Sequence, residues 1–377
     1  MSFVHLSSAA QITMGQSPPS NTYNELGDGL PFFQGKADFG YLYPKVRMYC
    51  NAPKKIAEKG DILVSVRAPV GPTNINPYKS CIGRGLASIR ARNNTTPKYL
   101  LYFLRYYEPI LSKSGRGSTF DAIGKEDLAN ISLPLPPFPE QRRIASILDK
   151  ADRLRRLRRF ALQLGEGYLQ SVFLEMFGDP VTNPMGWEIR NLGSQINSIR
   201  YGTGSPPGKY LENGIPFIRA TNIKKGTIQD TDMVFLSEDV VSEIEKCQVC
   251  EGDLLIVRSG INTGDCAIIP QKYNGAYAAY DLIIEIDYPK NIFYNLLVNS
   301  EYGKAVIRTL SRRAGQPHLN SDQVKSLSFP LPEPNLLDKF AIVVQRFNHF
   351  QSQQQEALRQ EEYLFQSLLA RAFDGGL

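Results

Sequence analysis

Apolar residues recur in alternating steps of three and four through Ile144, Ile147, Ala151, Leu154, Arg158, Ala161, Gly165, Tyr168 and Val172. The same steps recur 196 positions later through Phe340, Val343, Phe347, Phe350, Gln354, Ala357, Glu361, Leu364 and Leu368. This spacing is the seam of a coiled coil, and its polar or small interruptions fall at matching places, a device that fixes register at some cost in stability. Pro139 suits a first helical position, Asn335 an N-cap with Asp338 three residues on, and Gly178-Asp179-Pro180 and Asp374-Gly375-Gly376 are stop signals. Two helices of about 38 residues follow, each roughly 57 Å long. Neither can hide its seam alone. The simplest solution pairs them antiparallel, with a globular half at either end and a pseudo-two-fold axis between; the alternative folds each helix onto its own half as a cap.

Outside the helices the pattern is mixed. Ile62-Leu63-Val64 and Leu254-Leu255-Ile256 follow Gly-Asp turns and read as buried strands, while residues 97–107 and 289–299 read as matching helices whose aromatics belong to a core. The two stretches ISLPLP (131–136) and LSFPLP (327–332), GLPF (29–32) and GIPF (214–217), and GQSPP (15–19) and GTGSPPG (202–208) repeat one plan with loops of different length. The expected fold is therefore α+β: similar mixed α/β domains at 1–137 and 181–333, joined by long helices at 138–180 and 334–377.

Composition narrows the class. The 377 residues, 42% of them hydrophobic, suffice for two ordinary domains. No apolar run approaches the ~20 residues of a membrane helix, and the N-terminus lacks a signal-peptide layout, so no membrane and a cytoplasmic location are expected. Five cysteines, an odd number, argue against a disulfide framework. The net charge of +6 is local: residues 141–160 hold eight Lys/Arg against two Asp, and the remainder is formally neutral. Within that stretch Arg155, Arg156 and Arg159 could form a solvated face, touch DNA phosphates or dock an acidic partner.

Catalytic motifs are absent from the sequence. Three histidines limit acid-base and metal chemistry, no Glu-x-Lys or phosphate-binding Gly-x-x-x-x-Gly-Lys-Ser/Thr occurs, and the lone Cys247-x-x-Cys250 lacks partners for zinc. No metal site is expected, and Asn183 to Trp187 reads as a turn. Polar residues instead gather in glycine-rich loops, as base reading in a major groove requires. The candidates are Gln16, Ser17, Gln34, Lys36, Arg67, Arg84, Lys113, Arg116, Ser118 and Thr119 in the first half. In the second they are Thr203, Ser205, Lys209, Arg219, Thr221, Asn222, Lys224, Arg258, Asn262, Arg312, Arg313, Gln316 and His318. Two loop clusters on similar modules suggest a reader of two separated sites.

LPLPPFPEQRRIASILDKAD (133–152), its weaker echo at 329–348, GQSPPSNTYN (15–24) with GLPFFQG (29–35), and GDILVSVRAPVG (60–71) together resemble the specificity subunits of type I restriction-modification systems, over nearly the whole chain. The echo has Leu336-Leu337 where the first copy has Glu140-Gln141. The resemblance implies two target-recognition domains, each reading half of a bipartite, asymmetric site in double-stranded DNA, with the paired helices as a ruler. It also implies a non-catalytic chain without cofactors of its own. Two modification subunits would supply S-adenosylmethionine-dependent adenine-N6 methylation, and restriction subunits the ATP- and Mg²⁺-dependent cutting. Rival readings are a DNA methyltransferase or nuclease with degenerate motifs, and a coiled-coil scaffold that binds proteins.

Overall fold

A computed structural model describes residues 2–114, 122–165, 167–205, 208–311 and 317–375. Six long or paired helices organise it: Pro97–Ser114 (α1), Phe138–Gly165 (α2), Tyr168–Phe177 (α3), Lys290–Asn299 (α4), Glu301–Ser311 (α5) and Pro334–Asp374 (α6). The chain forms two compact units, one of Met1–Phe160 with Gln355–Leu377 and one of Ala161–Gln354. The first unit is thus completed by a helix segment from the far end of the sequence, whereas the second is one continuous stretch flanked by its own helix segments.

Both units carry the same four-stranded antiparallel sheet. In the first unit the strands Ala10–Met14 (β1), Ile62–Ser65 (β2), Thr73–Ile75 (β3) and Leu86–Ala91 (β4) lie in the order β1-β4-β2-β3. In the second, Ser198–Tyr201 (β5), Leu254–Ile256 (β6), Cys266–Ile268 (β7) and Leu282–Glu285 (β8) lie in the equivalent order β5-β8-β6-β7. The repeated Gly-x-Pro-Phe segments also do the same thing twice. Phe32 and Phe33 pair in parallel with Cys81 and Ile82, and Phe217 and Ile218 with Tyr277 and Ala278. The proline-bearing strands Ser132–Pro134 and Ser328–Leu331 close each half by pairing with Phe3–His5 and Glu188–Asn191.

The helix between the halves differs from expectation. Gly167 is a turn residue before α3, and Gly165 and Gly167 together remove two side chains and raise the entropy cost of a continuous helix. The second helix, α6, runs 41 residues without a break. It starts with Pro334 in the first position, one residue before the anticipated cap Asn335, because a proline there forfeits no intrahelical hydrogen bond. The predicted helix at 289–299 holds as α4, but the chain resumes as α5 after Ser300, whose hydroxyl accepts the Gly303 N–H.

In each unit the helices pair antiparallel. Within the first, the Arg155 guanidinium lies 3.6 Å from the Phe365 ring centre, and Arg158 meets Glu361 at 2.8 Å. Within the second, Tyr168 stacks on Phe347 at 5.0 Å and Phe173 packs on Phe340 at 5.8 Å. The buried stripe is shifted from the expected seam. Leu148 and Arg155 are buried, whereas Leu154 is 54% exposed and Phe350 and Leu364 face solvent. The shift arises because each helix also caps its own globular half, so both packing solutions hold together. One core joins Tyr99, Tyr102 and Phe103 of α1 to Ile144 and Leu148 of α2 and Phe365, Leu369 and Phe373 of α6. The other joins Phe293, Tyr294 and Leu297 of α4 to Phe173 and Phe177 of α3 and Leu337, Phe340 and Val344 of α6.

The repeat explains one departure in the motif. Gln141 is buried, its oxygen accepting the Thr96 N–H and its amide donating to the carbonyls of Asn94 and Pro136. Leu337 holds the equivalent position and fills it with apolar contact. The turn at Asn183 to Trp187 is also structural: Trp187 Nε1 donates 2.9 Å to the Phe177 carbonyl and so fixes the end of α3.

Candidate nucleic-acid interface

Glycine turns gather the candidate side chains of the first unit. The backbone N–H of Gly15, just beyond β1, donates to Leu86, and that of Gln16 to Ile82. A Cβ at Gly15 would stand 2.1 Å from the Gly83 carbonyl oxygen, an approach only glycine allows. Gly83 N–H reaches Phe33, Gly85 N–H reaches Gln34, and Val66 N–H reaches Gly85. The Arg84 N–H donates to Ser17 Oγ at 3.3 Å. Gln16, Ser17, Gln34, Arg67 and Arg84 therefore share one rim at the end of the sheet, all exposed except half-buried Ser17. Lys36 lies exposed in the Gln34 loop, which is pinned by the buried Asp38 carboxylate accepting the Gln34 N–H and an ion pair from Arg47. Lys113 projects near the end of α1, where Ser112 Oγ donates to Val70. Arg116, Ser118 and Thr119 lie outside the described residues.

The second unit builds its rim at the same place in the repeat. Gly202, just beyond β5, donates to Asp281, and Thr203 to Ala278; a Cβ on Gly202 would stand 1.7 Å from the Ala279 carbonyl oxygen. Here the turn carries a built arginine. Arg258 lies between the rings of Tyr201 and Tyr280, 4.6 and 4.2 Å from their centres, and a terminal guanidinium nitrogen is 2.9 Å from His318 Nε2. Contact with two rings restricts the guanidinium, so less rotamer entropy is lost when its fork meets an acceptor. Behind it Asp281 accepts the Arg258 N–H at 3.4 Å, and burial pushes the Asp281 carboxyl up to about 6. The Ser321 side chain, and then its N–H donating to the Tyr201 hydroxyl, draw that hydroxyl's pKa below the ordinary tyrosine value, and the N–H bond orients the ring.

Thr203, Arg258, Asn262 and His318 thus come together, with Ser205 accepting the Thr203 hydroxyl through its carbonyl. Arg219, bonded to the Asp232 carbonyl and lying over Tyr210, adjoins them through the bond from Ala279 N–H to Ile218. Thr221, Lys224 and Lys209 are exposed nearby in sequence. Asn222 is a correction: it is 0% exposed, its oxygen accepts the Arg219 N–H, and its amide donates to Gln229 and Thr231. Those bonds staple its loop and leave the side chain unable to read a base. Arg312, Arg313 and Gln316 lie outside the described residues. Tyr201, Tyr280 and Asp281 were missed by residue type, although the position of Tyr201 before the repeated glycine marked it.

The helix arginines occupy an ion-pair cluster in the first unit. Buried Asp152 meets Arg105 at 3.2 Å, Arg155 at 2.6 Å and Arg156 at 3.4 Å. Arg155, 8% exposed, also reaches Glu362 of α6 at 2.8 Å, and Arg159 pairs with the same carboxylate. Tyr41, from the loop after Lys36, lies against Arg155 and Arg159 and ties that loop to the helix. Arg155 thus joins helices, a use absent from the three considered for it. Among the described residues no cluster of His, Cys, Asp or Glu could hold a metal, and no helix is long and apolar enough to cross a membrane.

Comparison with known proteins bears on this arrangement. The family model described as type I restriction modification DNA specificity domain matches residues 2–161 and 184–365. The specificity subunit described for the MjaX type I restriction enzyme of Methanocaldococcus jannaschii is 49% identical over 150 residues, 40% of this chain and 35% of that protein. The MjaIX specificity subunit of the same organism is 23% identical over 89% of this chain and 84% of its own length. A crystal structure of the type I restriction-modification S subunit of M. genitalium superposes with a TM-score of 0.65 at 14% identity, covering 99% of this chain and 96% of that one. At that identity the likeness speaks for the fold, an α+β architecture with two repeated domains.

Proposed function

The chain belongs to the type I restriction-modification DNA specificity family, and from that premise we propose that it is a non-catalytic reader of a two-part DNA site. Each rim would read one half of an asymmetric sequence in the major groove, Arg and Lys addressing guanine, Gln and Asn adenine. The carrying observation is the duplication of the rim itself: the same glycine turn gathers polar side chains at the same end of the same four-stranded sheet in both units. The paired helices would set the unspecified gap. Consecutive major-groove faces lie about 34 Å apart, a span within the reach of helices of this length.

Catalysis would belong to partners. Two modification subunits would bind S-adenosylmethionine and flip the adenine of each half for N6 methylation, while restriction subunits would use ATP and Mg²⁺ to translocate and cut. Leu154, Leu157 and Phe160 give α2 an exposed apolar face that supports docking of a modification subunit.

The test is to co-express the chain with the modification subunits of its system and sequence methylated adenines in DNA exposed to the complex. A gapped motif with one methylated adenine in each half is expected. A continuous motif, or an assembled complex that methylates nothing, overturns the proposal, the second outcome in favour of a scaffold.

A further inference from the structure

Ile261 is fully exposed, at 102% of its reference area, the greatest exposure of any large apolar residue described. Its turn is built rather than loose. Gly264 N–H donates to Val257 at 2.8 Å, Asp265 N–H to Asn262 at 2.9 Å, and the Thr263 hydroxyl to Gly260 at 2.6 Å. Gly260 and Gly264 take φ of +101° and +91°, and a Cβ at Gly264 would stand 2.6 Å from Ile307 of α5, so the turn sits tightly on that helix. A held turn that displays a β-branched apolar side chain to water forgoes burial for which the fold offers no replacement.

The surroundings indicate what covers it. Three residues upstream is Arg258 between its two tyrosines, next in sequence is Asn262, and Thr263 Oγ1 lies 3.4 Å from the carbonyl before His318. A cationic, hydrogen-bonding rim around one apolar tip suits a polyanion that offers an isolated methyl group. Of the four bases only thymine presents one, its C5 methyl, in the major groove. We propose that Ile261 is a specificity-determining residue of the second unit, packing on a thymine methyl beside the base addressed by Arg258. This rests on the reading of the chain as a DNA reader and names the base that one part of it selects.

The experiment uses the assembled methylating complex and a duplex carrying its own gapped motif. Each thymine of the motif, on either strand, is replaced in turn by deoxyuridine, which removes only the methyl. Every half-site holds at least one thymine, opposite the methylated adenine. Wild-type binding should fall about four-fold at one thymine of one half-site, the worth of one buried methyl group. Ile261→Ala should bind the unmodified duplex correspondingly more weakly and become indifferent to deoxyuridine at that position alone, while Ile261→Val retains most of the discrimination. Equal deoxyuridine losses in wild type and Ile261→Ala, or no loss at any thymine, overturn the assignment. So does a uniform loss by Ile261→Ala on every sequence with unstacking of 2-aminopurine, the signature of a wedge between bases. Failure to find a gapped motif removes the premise; a gapped motif indifferent to every methyl overturns Ile261 alone.

Discussion

Asp281 pays for its place behind Arg258. The side chain is 3% exposed, and burial raises its pKa to about 6 against partial relief from the Arg258 N–H and guanidinium. The folded state therefore holds this proton more tightly than the unfolded chain does. Its contribution to stability is fully present below about pH 4 and is lost as pH rises through about 6, a swing on the order of 3 kcal/mol. Asp281→Asn keeps an oxygen for the Arg258 N–H and removes the ionisation. The variant should melt above wild type at pH 7.5, with the gap closing as pH falls towards 4; a gap independent of pH would refute the raised carboxyl. Residue type announced Arg258 and His318 as candidates but not the tyrosines that hold the arginine, since those contacts join residues far apart in the chain. It also misjudged Asn222, because a sequence does not reveal whether an amide is spent on its own loop.

Periodicity located both long helices, and the same periodicity misplaced the buried stripe on them. A seam of apolar positions assumes one partner, whereas α2 meets α6 and α1 at once and turns Leu148 and Arg155 inward in place of Leu154. The inward arginine has consequences. Arg155 and Arg159 share Glu362, whose side chain is 28% exposed, so removing that carboxylate leaves a buried guanidinium with Asp152 as its remaining acidic partner. Glu362→Gln should cost roughly 1–3 kcal/mol, less than a fully buried pair because water reaches the glutamate. Denaturant unfolding of Glu362→Gln, Arg155→Met and the double variant should give a favourable coupling energy between the two positions. Strictly additive losses would mean that the pair does not join the helices energetically.

Duplication was legible across the whole sequence, from paired proline blocks to paired glycine turns, and antiparallel pairing of the helices implied that the end of α6 reaches the first half; which of its residues enter that core was not legible. It follows from contacts between residues far apart in the chain. Phe365, Leu369, Ala372 and Phe373 belong to the core of the N-terminal unit, where Phe373 packs 5.3 Å from Tyr99 and 5.5 Å from Phe103. Among the described residues, the helical core of the other unit contains none beyond Val344. Deleting residues 355–377 should therefore damage the opposite end of the sequence. Each large buried side chain is worth about 2–5 kcal/mol, and removing two phenylalanines and a leucine approaches the 5–15 kcal/mol that holds an ordinary domain together. Hydrogen exchange on the truncated chain should show α1 and residues 144–151 losing protection, while β6 and β8 keep theirs. Retained protection in α1 would show that the first unit folds without the C-terminal part of α6. Equal loss in both sheets would show instead that the two units unfold as one.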